Sequence, residues 1–177
     1  RFVDTTRDRR LRRFRTLVLV PILASVLGLA ATAAAQLPEI EVVKDASGSR
    51  LQVDGEDFMV LGMNWGYMPI GENYTYDFWG KDDAFIRAAL DREMSLLRDM
   101  GVNVIRQYVG IPPRWVEHIY DEYGIWTVLN HAMARYGITI DGVWYPSTDY
   151  SDPRVIEQVR GELAALAEEF KDTRGLL

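Results

Sequence analysis

"LLRDMGVNVIRQY", residues 96–108, is the stretch that decides the fold. Its first half closes an apolar stripe with helical spacing, Gly101 breaks the pattern, and "VNVIRQY" is rich in β-branched residues. A helix that runs through a short turn into an apolar strand is the unit of a parallel sheet with helical crossovers.

Working outward, the same unit recurs. Upstream, "KDDAFIRAALDREMSLLRDMG" (81–101) places Phe85, Ile86, Ala89, Leu90, Met94 and Leu97 on one face, with Asp82 or Asp83 as cap and Gly101 as stop. Downstream, "GIPP" opens a helix over Arg114–Tyr123 that buries Trp115, Val116, Ile119 and Tyr120 and stops at Gly124. "IWTVLN" (125–130) is the next strand, and "HAMARYGITIDGVWYPSTDY" (131–150) reads as a long aromatic loop. "SDP" (151–153) then starts a helix whose stripe is Val155, Ile156, Val159, Leu163, Leu166 and Phe170. "KDTRG" is a turn, and Leu176–Leu177 begin a fourth strand.

Before these units, "KDASGS" separates two short apolar runs, Ile40–Val43 and Leu51–Val53, and "DG" at 54–55 marks a reversal before a buried strand at Phe58–Gly62. "GYMPIGENYTYDFWG" (66–80) has no periodicity and is a loop. The fold class is therefore α/β, a parallel sheet with a short antiparallel lead-in. The long loops follow strands and the short turns precede them, which fits a (β/α)8 barrel and an open doubly wound sheet equally.

Residues 1–35 stand apart. "RDRRLRRFR" (7–15) is basic, "LVLVPILASVLGLA" (17–30) is apolar, and "TAAAQ" (32–36) supplies small residues, the order of a secretory signal cut after Ala35. An uncleaved anchor is the other reading of the same run. The expected address is periplasmic, secreted or cell-surface. The chain opens on Arg1 and stops two residues into a strand, so the reading expects an amino-terminal fragment.

The 177 residues include no cysteine, so nothing depends on disulfides. Their net charge is −6; setting aside the seven arginines and two aspartates of residues 1–35 leaves −11. That balance argues against a nucleic-acid partner, because phosphate binding needs clustered Lys and Arg. It favours a soluble neutral ligand over a polyanion.

The first strand ends in "GMNWGYMPIG", which lacks the glycine spacing of a dinucleotide turn, and there is no P-loop and no G-x-S-x-G serine. Two histidines without cysteine make no zinc pattern, and no metal or other cofactor is expected. What remains lies at the strand tips: Asn64 and Trp65 on the first, Arg106 and Tyr108 on the second, Asn130 and His131 on the third. Amide, guanidinium, phenol and imidazole groups suit hydroxyl-rich ligands. Trp65, Tyr74, Tyr76, Trp79, Trp144 and Tyr145 could stack on sugar rings, or could instead pin the loops to the rim. Arg106 follows an apolar strand, points inward, and calls for a carboxylate partner. Glu72, Asp77, Asp141 and Asp149 lie in loops and read as solvated surface.

"FMVLGMNWG", "LLRDMGVNVIRQY", "YDEYGIWTVLNH" and "FKDTRGLL", in that order, resemble the opening half of retaining glycoside hydrolases with a (β/α)8 barrel, closest to the family 2 catalytic domains with some kinship to family 5. The likeness covers residues 51–177. With the lead-in hairpin that the turn residues place over 36–56, it implies three βα units and the start of the fourth strand over 57–177. It also implies a carbohydrate substrate and a two-carboxylate mechanism whose acid/base and nucleophile glutamates end the fourth and seventh strands, beyond Leu177. Arg106 would then support the nucleophile, while Asn64, Trp65, Tyr108, Asn130, His131 and Trp144 would line the sugar site. The long 66–80 loop and the absence of preceding sandwich domains depart from family 2. A non-catalytic carbohydrate-binding or cell-surface protein on a barrel scaffold is the alternative.

Overall fold

A computed structural model describes residues 37–108 and 110–177; the signal expected over 1–35 lies outside them. The described residues open on an antiparallel sheet of β1 (Ile40–Asp45), β2 (Gly48–Val53) and β3 (Glu56–Asp57). Asp54 and Gly55 join β2 to β3 with φ of 52° and 80°. Positive φ at both central residues is the geometry that the Asp-Gly pair favours in two-residue hairpins.

A second sheet holds β4 (Gly62–Asn64), β5 (Val104–Tyr108) and β6 (Trp126–Asn130), parallel and in chain order. Helix α1 (Asp83–Asp99) crosses from β4 to β5, and α2 (Pro113–Tyr123) from β5 to β6. Asp82 caps α1 by accepting the Phe85 N–H at 2.9 Å, and Gly124 closes α2 with φ of 68°. After α3 (Pro153–Phe170), capped by Asp152, the chain returns to the same sheet. Thr127 N–H donates to Gly175 O at 2.8 Å and Leu177 N–H to Thr127 O at 2.9 Å, a parallel bridge on the free side of β6. Where the sequence reading expects a fourth strand, at Leu176–Leu177, the described residues hold this single bridge and no further ladder. The described residues form a mixed α/β fold of three small sheets and three helices, and they close no barrel.

Parallel pairing gives the sheet two chemically distinct faces. Ile105 and Thr127 point to the helices and are fully buried, with Ile86, Leu90, Met94, Trp115, Val116 and Ile119 packed above them. The other face carries Gly62, Asn64, Val104, Arg106 and Val128, which line one shallow depression with no helix residue in its lining.

Four expectations need correction. The strand read at Phe58–Gly62 is displaced to Gly62–Asn64, and Met59, Val60 and Leu61 are exposed. The cause is Asn103: its side chain accepts from Leu61 N–H at 2.7 Å and donates to Met59 O at 2.8 Å, holding 59–61 where a ladder would otherwise run. Tyr120 is half-buried against Trp126, and Tyr123 takes its place in the core. Ile156 is exposed, so α3 buries only part of its stripe. Within the 131–150 loop, β7 (Ile138–Ile140) and β8 (Val143–Tyr145) form a hairpin packed against α3. Its turn, Asp141-Gly142, has φ of 50° and 78°, the same pair and the same geometry as at 54–55.

Candidate functional site

Three adjacent parallel strands bring Asn64, Arg106 and Asn130 together at their carboxyl ends. Asn64 and Arg106 are in register, and Asn130 stands one step further along beside Tyr108. Arg106 Nη1 donates to Asn64 Oδ1 at 3.1 Å and its Nη2 to Asn130 Oδ1 at 2.5 Å. The guanidinium carbon lies 5.5 Å from the Tyr108 ring centroid, within cation–π range. The carboxylate expected beside Arg106 is not found among the described residues; two neutral amides hold it instead. Two of its five N–H groups are used, and its charge is not neutralised.

Tyr108 is the wall between two clefts. One, about 370 Å³, is lined by Arg106, Tyr108, Asn130, His131, Arg135 and Tyr150 with their neighbours, and no Asp or Glu lines it. Its size falls within the roughly 300–1,000 Å³ of small-ligand sites. His131 Nδ1 accepts the Met133 N–H at 3.0 Å, which leaves the ring proton on Nε2, 3.4 Å from Glu162 Oε2 on α3. The floor of this cleft is the turn Ala132–Arg135, where Met133 and Ala134 have φ of 53° and 61°. Such values are uncommon without glycine and cost about 1–2 kcal/mol per residue. The turn persists because Arg135 N–H donates to Ala132 O at 3.0 Å, Tyr150 Oη to Met133 O at 2.9 Å, and Thr148 Oγ1 to Ala134 O.

The other cleft, about 510 Å³, lies between β5 and the 66–80 loop and is lined by Trp65, Tyr74, Tyr76, Trp79, Gln107 and Tyr108 among others. Its aromatics divide into pins and platforms. Phe78 is buried, stacks on Tyr67 with centroids 4.6 Å apart, and touches Trp79 at 4.7 Å. Trp65, only 8% exposed, packs edge-on against Phe78 and Trp79, so most of its surface is committed to the core. Tyr74 is 90% exposed and offers a free ring.

The structure therefore brings together Asn64, Arg106, Tyr108, Asn130 and His131, with Trp65 behind them. Trp144 lines neither cleft; it stands half-exposed on β8, its ring over Gly137. Sequence reasoning missed Arg135, Tyr150, Gln107 and the pinning role of Phe78. The signal for Arg135 was the Asp-Gly pair at 141–142, which marks a hairpin and makes the residues before it a structured turn. Among the described residues no three metal-ligating side chains converge, and no helix is long and apolar enough to cross a membrane.

The chain matches no protein-family model and no curated protein sequence. Among solved structures it is similar to the exo-β-D-glucosaminidase CsxA, with a TM-score of 0.49 and 15% identity over 78% of this chain and 15% of that one. The Amycolatopsis orientalis exo-chitosanase CsxA gives a TM-score of 0.46 and 17% identity over the same shares. This chain thus spans 15% of the length of those proteins, and identities this low carry no activity from them to it.

Proposed function

We propose that the protein is an exported retaining glycoside hydrolase with a (β/α)8 barrel, of which the three described βα units form a sugar-site wall. The observation that carries this reading is Arg106, held by Asn64 and Asn130 across three consecutive parallel strand tips. Barrel active sites gather at strand carboxyl ends. Strands in chain order with no reversal also favour a barrel over a doubly wound sheet, whose order reverses at a switch point.

Retaining hydrolysis uses two carboxylates about 5 Å apart, one as nucleophile and one as acid then base. A guanidinium whose described partners are neutral keeps its charge for such a nucleophile and holds it ionised, because a nearby cation lowers a carboxylate pKa. We assign the two carboxylates to the fourth and seventh strand ends, beyond residue 177. Asn64, Tyr108, Asn130 and His131 would hydrogen-bond sugar hydroxyls. Trp65 would back that layer, and Trp144 would serve as an outer platform. Residues 1–35 would direct export, 36–56 would form the lead-in and 57–177 the first part of the barrel.

The test is turnover of 4-nitrophenyl glycosides by the full-length protein, with NMR of the first-formed anomer. Arg106→Ala should lower turnover by roughly 10²-fold or more, as loss of a preorganised charge does. Near wild-type turnover in a folded Arg106→Ala protein sinks the assignment. The exposed Tyr74 ring favours a second reading, a carbohydrate-binding protein without catalysis. Saturable sugar binding with no turnover of any glycoside would select it.

A further inference from the structure

We infer that the cleft between the β5 and β6 tips and the Ala132–Arg135 turn selects a sugar bearing a carboxylate, with Arg135 as the residue that reads it. The inference rests on the glycosidase reading above. In residues 36–177 acidic groups outnumber basic ones 24 to 13, yet this cleft is lined by Arg106, Arg135 and His131 and by no Asp or Glu. Among the described residues neither arginine reaches a carboxylate; Arg106 has two amides, and Arg135 lies 5.8 Å over the Tyr136 ring. The acid that approaches, Glu162, meets His131 Nε2 at 3.4 Å and orients that ring.

Arg135 is also deliberately placed. Its turn holds two successive left-handed residues that are not glycine, fastened by His131 Nδ1, Tyr150 Oη and Thr148 Oγ1. Strained backbone that its surroundings over-determine concentrates where a side chain must be aimed. With Arg106 given to the nucleophile, Arg135 is the cation left for the substrate. Tyr108, Tyr136 and Tyr150 supply hydroxyls beside it. A planar guanidinium on an aromatic face matches a carboxylate by charge and by its forked donors. A uronic acid ring satisfies this cleft, a neutral hexose leaves the cation unanswered, and a protonated amino sugar is repelled.

The experiment compares kcat/KM of the full-length protein on 4-nitrophenyl glucuronide and glucoside of the same anomeric configuration, together with NMR titration by glucuronate. Wild type should prefer the uronide. Arg135→Gln should cut the uronide-to-glucoside ratio about tenfold or more, the scale of a lost charge-assisted hydrogen bond. Arg135→Lys should recover part of it, and added salt should weaken the wild-type preference. A wild type that prefers the glucoside, or a ratio unmoved in Arg135→Gln, overturns the anionic cleft and leaves the glycosidase reading standing. No turnover of either glycoside, with glucuronate binding that Arg135→Gln weakens, does the reverse. Neither turnover nor glucuronate binding overturns both.

Discussion

Arg106 Nη2 donates to Asn130 Oδ1 at 2.5 Å, and this bond ties the tip of β5 to the tip of β6. Asn130 therefore acts through Arg106 as a positioning residue. In the full-length protein, Asn130→Asp replaces a neutral acceptor with a charge that competes for the guanidinium. The field at the proposed nucleophile weakens, its pKa rises, and the acid limb of the kcat/KM profile moves to higher pH. An unmoved acid limb in an active Asn130→Asp enzyme removes Asn130 from that role.

Gly175 turns the chain toward the bridge at Leu176 with φ of 79°, and a Cβ there would collide with the Tyr120 side chain. Gly175→Ala meets both penalties at once. Unfolding in denaturant should show a loss exceeding about 1–2 kcal/mol, the cost of the left-handed conformation alone. An unchanged midpoint would mean that Gly175 does not hold this left-handed conformation against Tyr120.

Two leucines on one helix separate packing from propensity. Leu90 of α1 is fully buried and Leu96 is well exposed. Leu90→Ala should cost about 2–5 kcal/mol through lost contacts and a residual cavity. Leu96→Ala should stay within about 0.5 kcal/mol. Equal effects would place α1 on the sheet with a different face.

His118 of α2 titrates below the usual histidine value of 6.5, first because burial disfavours the charged ring and then because Arg87 faces it, its Nη1 3.2 Å from Nδ1. Asp91, Asp121 and Glu122 oppose the shift without reversing it. The unfolded chain then binds the proton more readily than the folded one, so the stability present above pH 6.5 declines as pH falls through the interval below it. His118→Gln should flatten that part of the stability–pH curve, measured as Tm against pH. A wild-type curve already flat between pH 6.5 and 5 would contradict the coupling.

What the sequence reveals depends on how local the cause is. Asp82, Gly124 and Asp152 cap their helices within a few residues, and all three are legible as caps. The strand tips also emerge from local pattern, which is why Asn64, Arg106 and Asn130 can be named before any coordinates. Asn103 is different: it reaches 42 residues back to hold Leu61, and no window shorter than that contains the reason Phe58–Leu61 are not a strand. Arg106 fails in the same way. Burial argues for a carboxylate, but the partners come from two other strands, and their chemistry is set by register. The hairpin at 138–145 was available from Asp141-Gly142 and was obscured by the loop-like composition around it.

The aromatic chain behind the site links regions that would otherwise move separately. Tyr67 rests on Phe78, Phe78 on Trp79, and Trp79 faces Trp115, which is buried in α2. The 66–80 loop cannot lift without drawing Phe78 and Trp79 out of the cluster that α1 and α2 share. Its pinned amides should therefore exchange hydrogen with solvent only when the helices themselves open, as part of the same cooperative unit. A wall of the ligand cleft is in this respect as durable as the core.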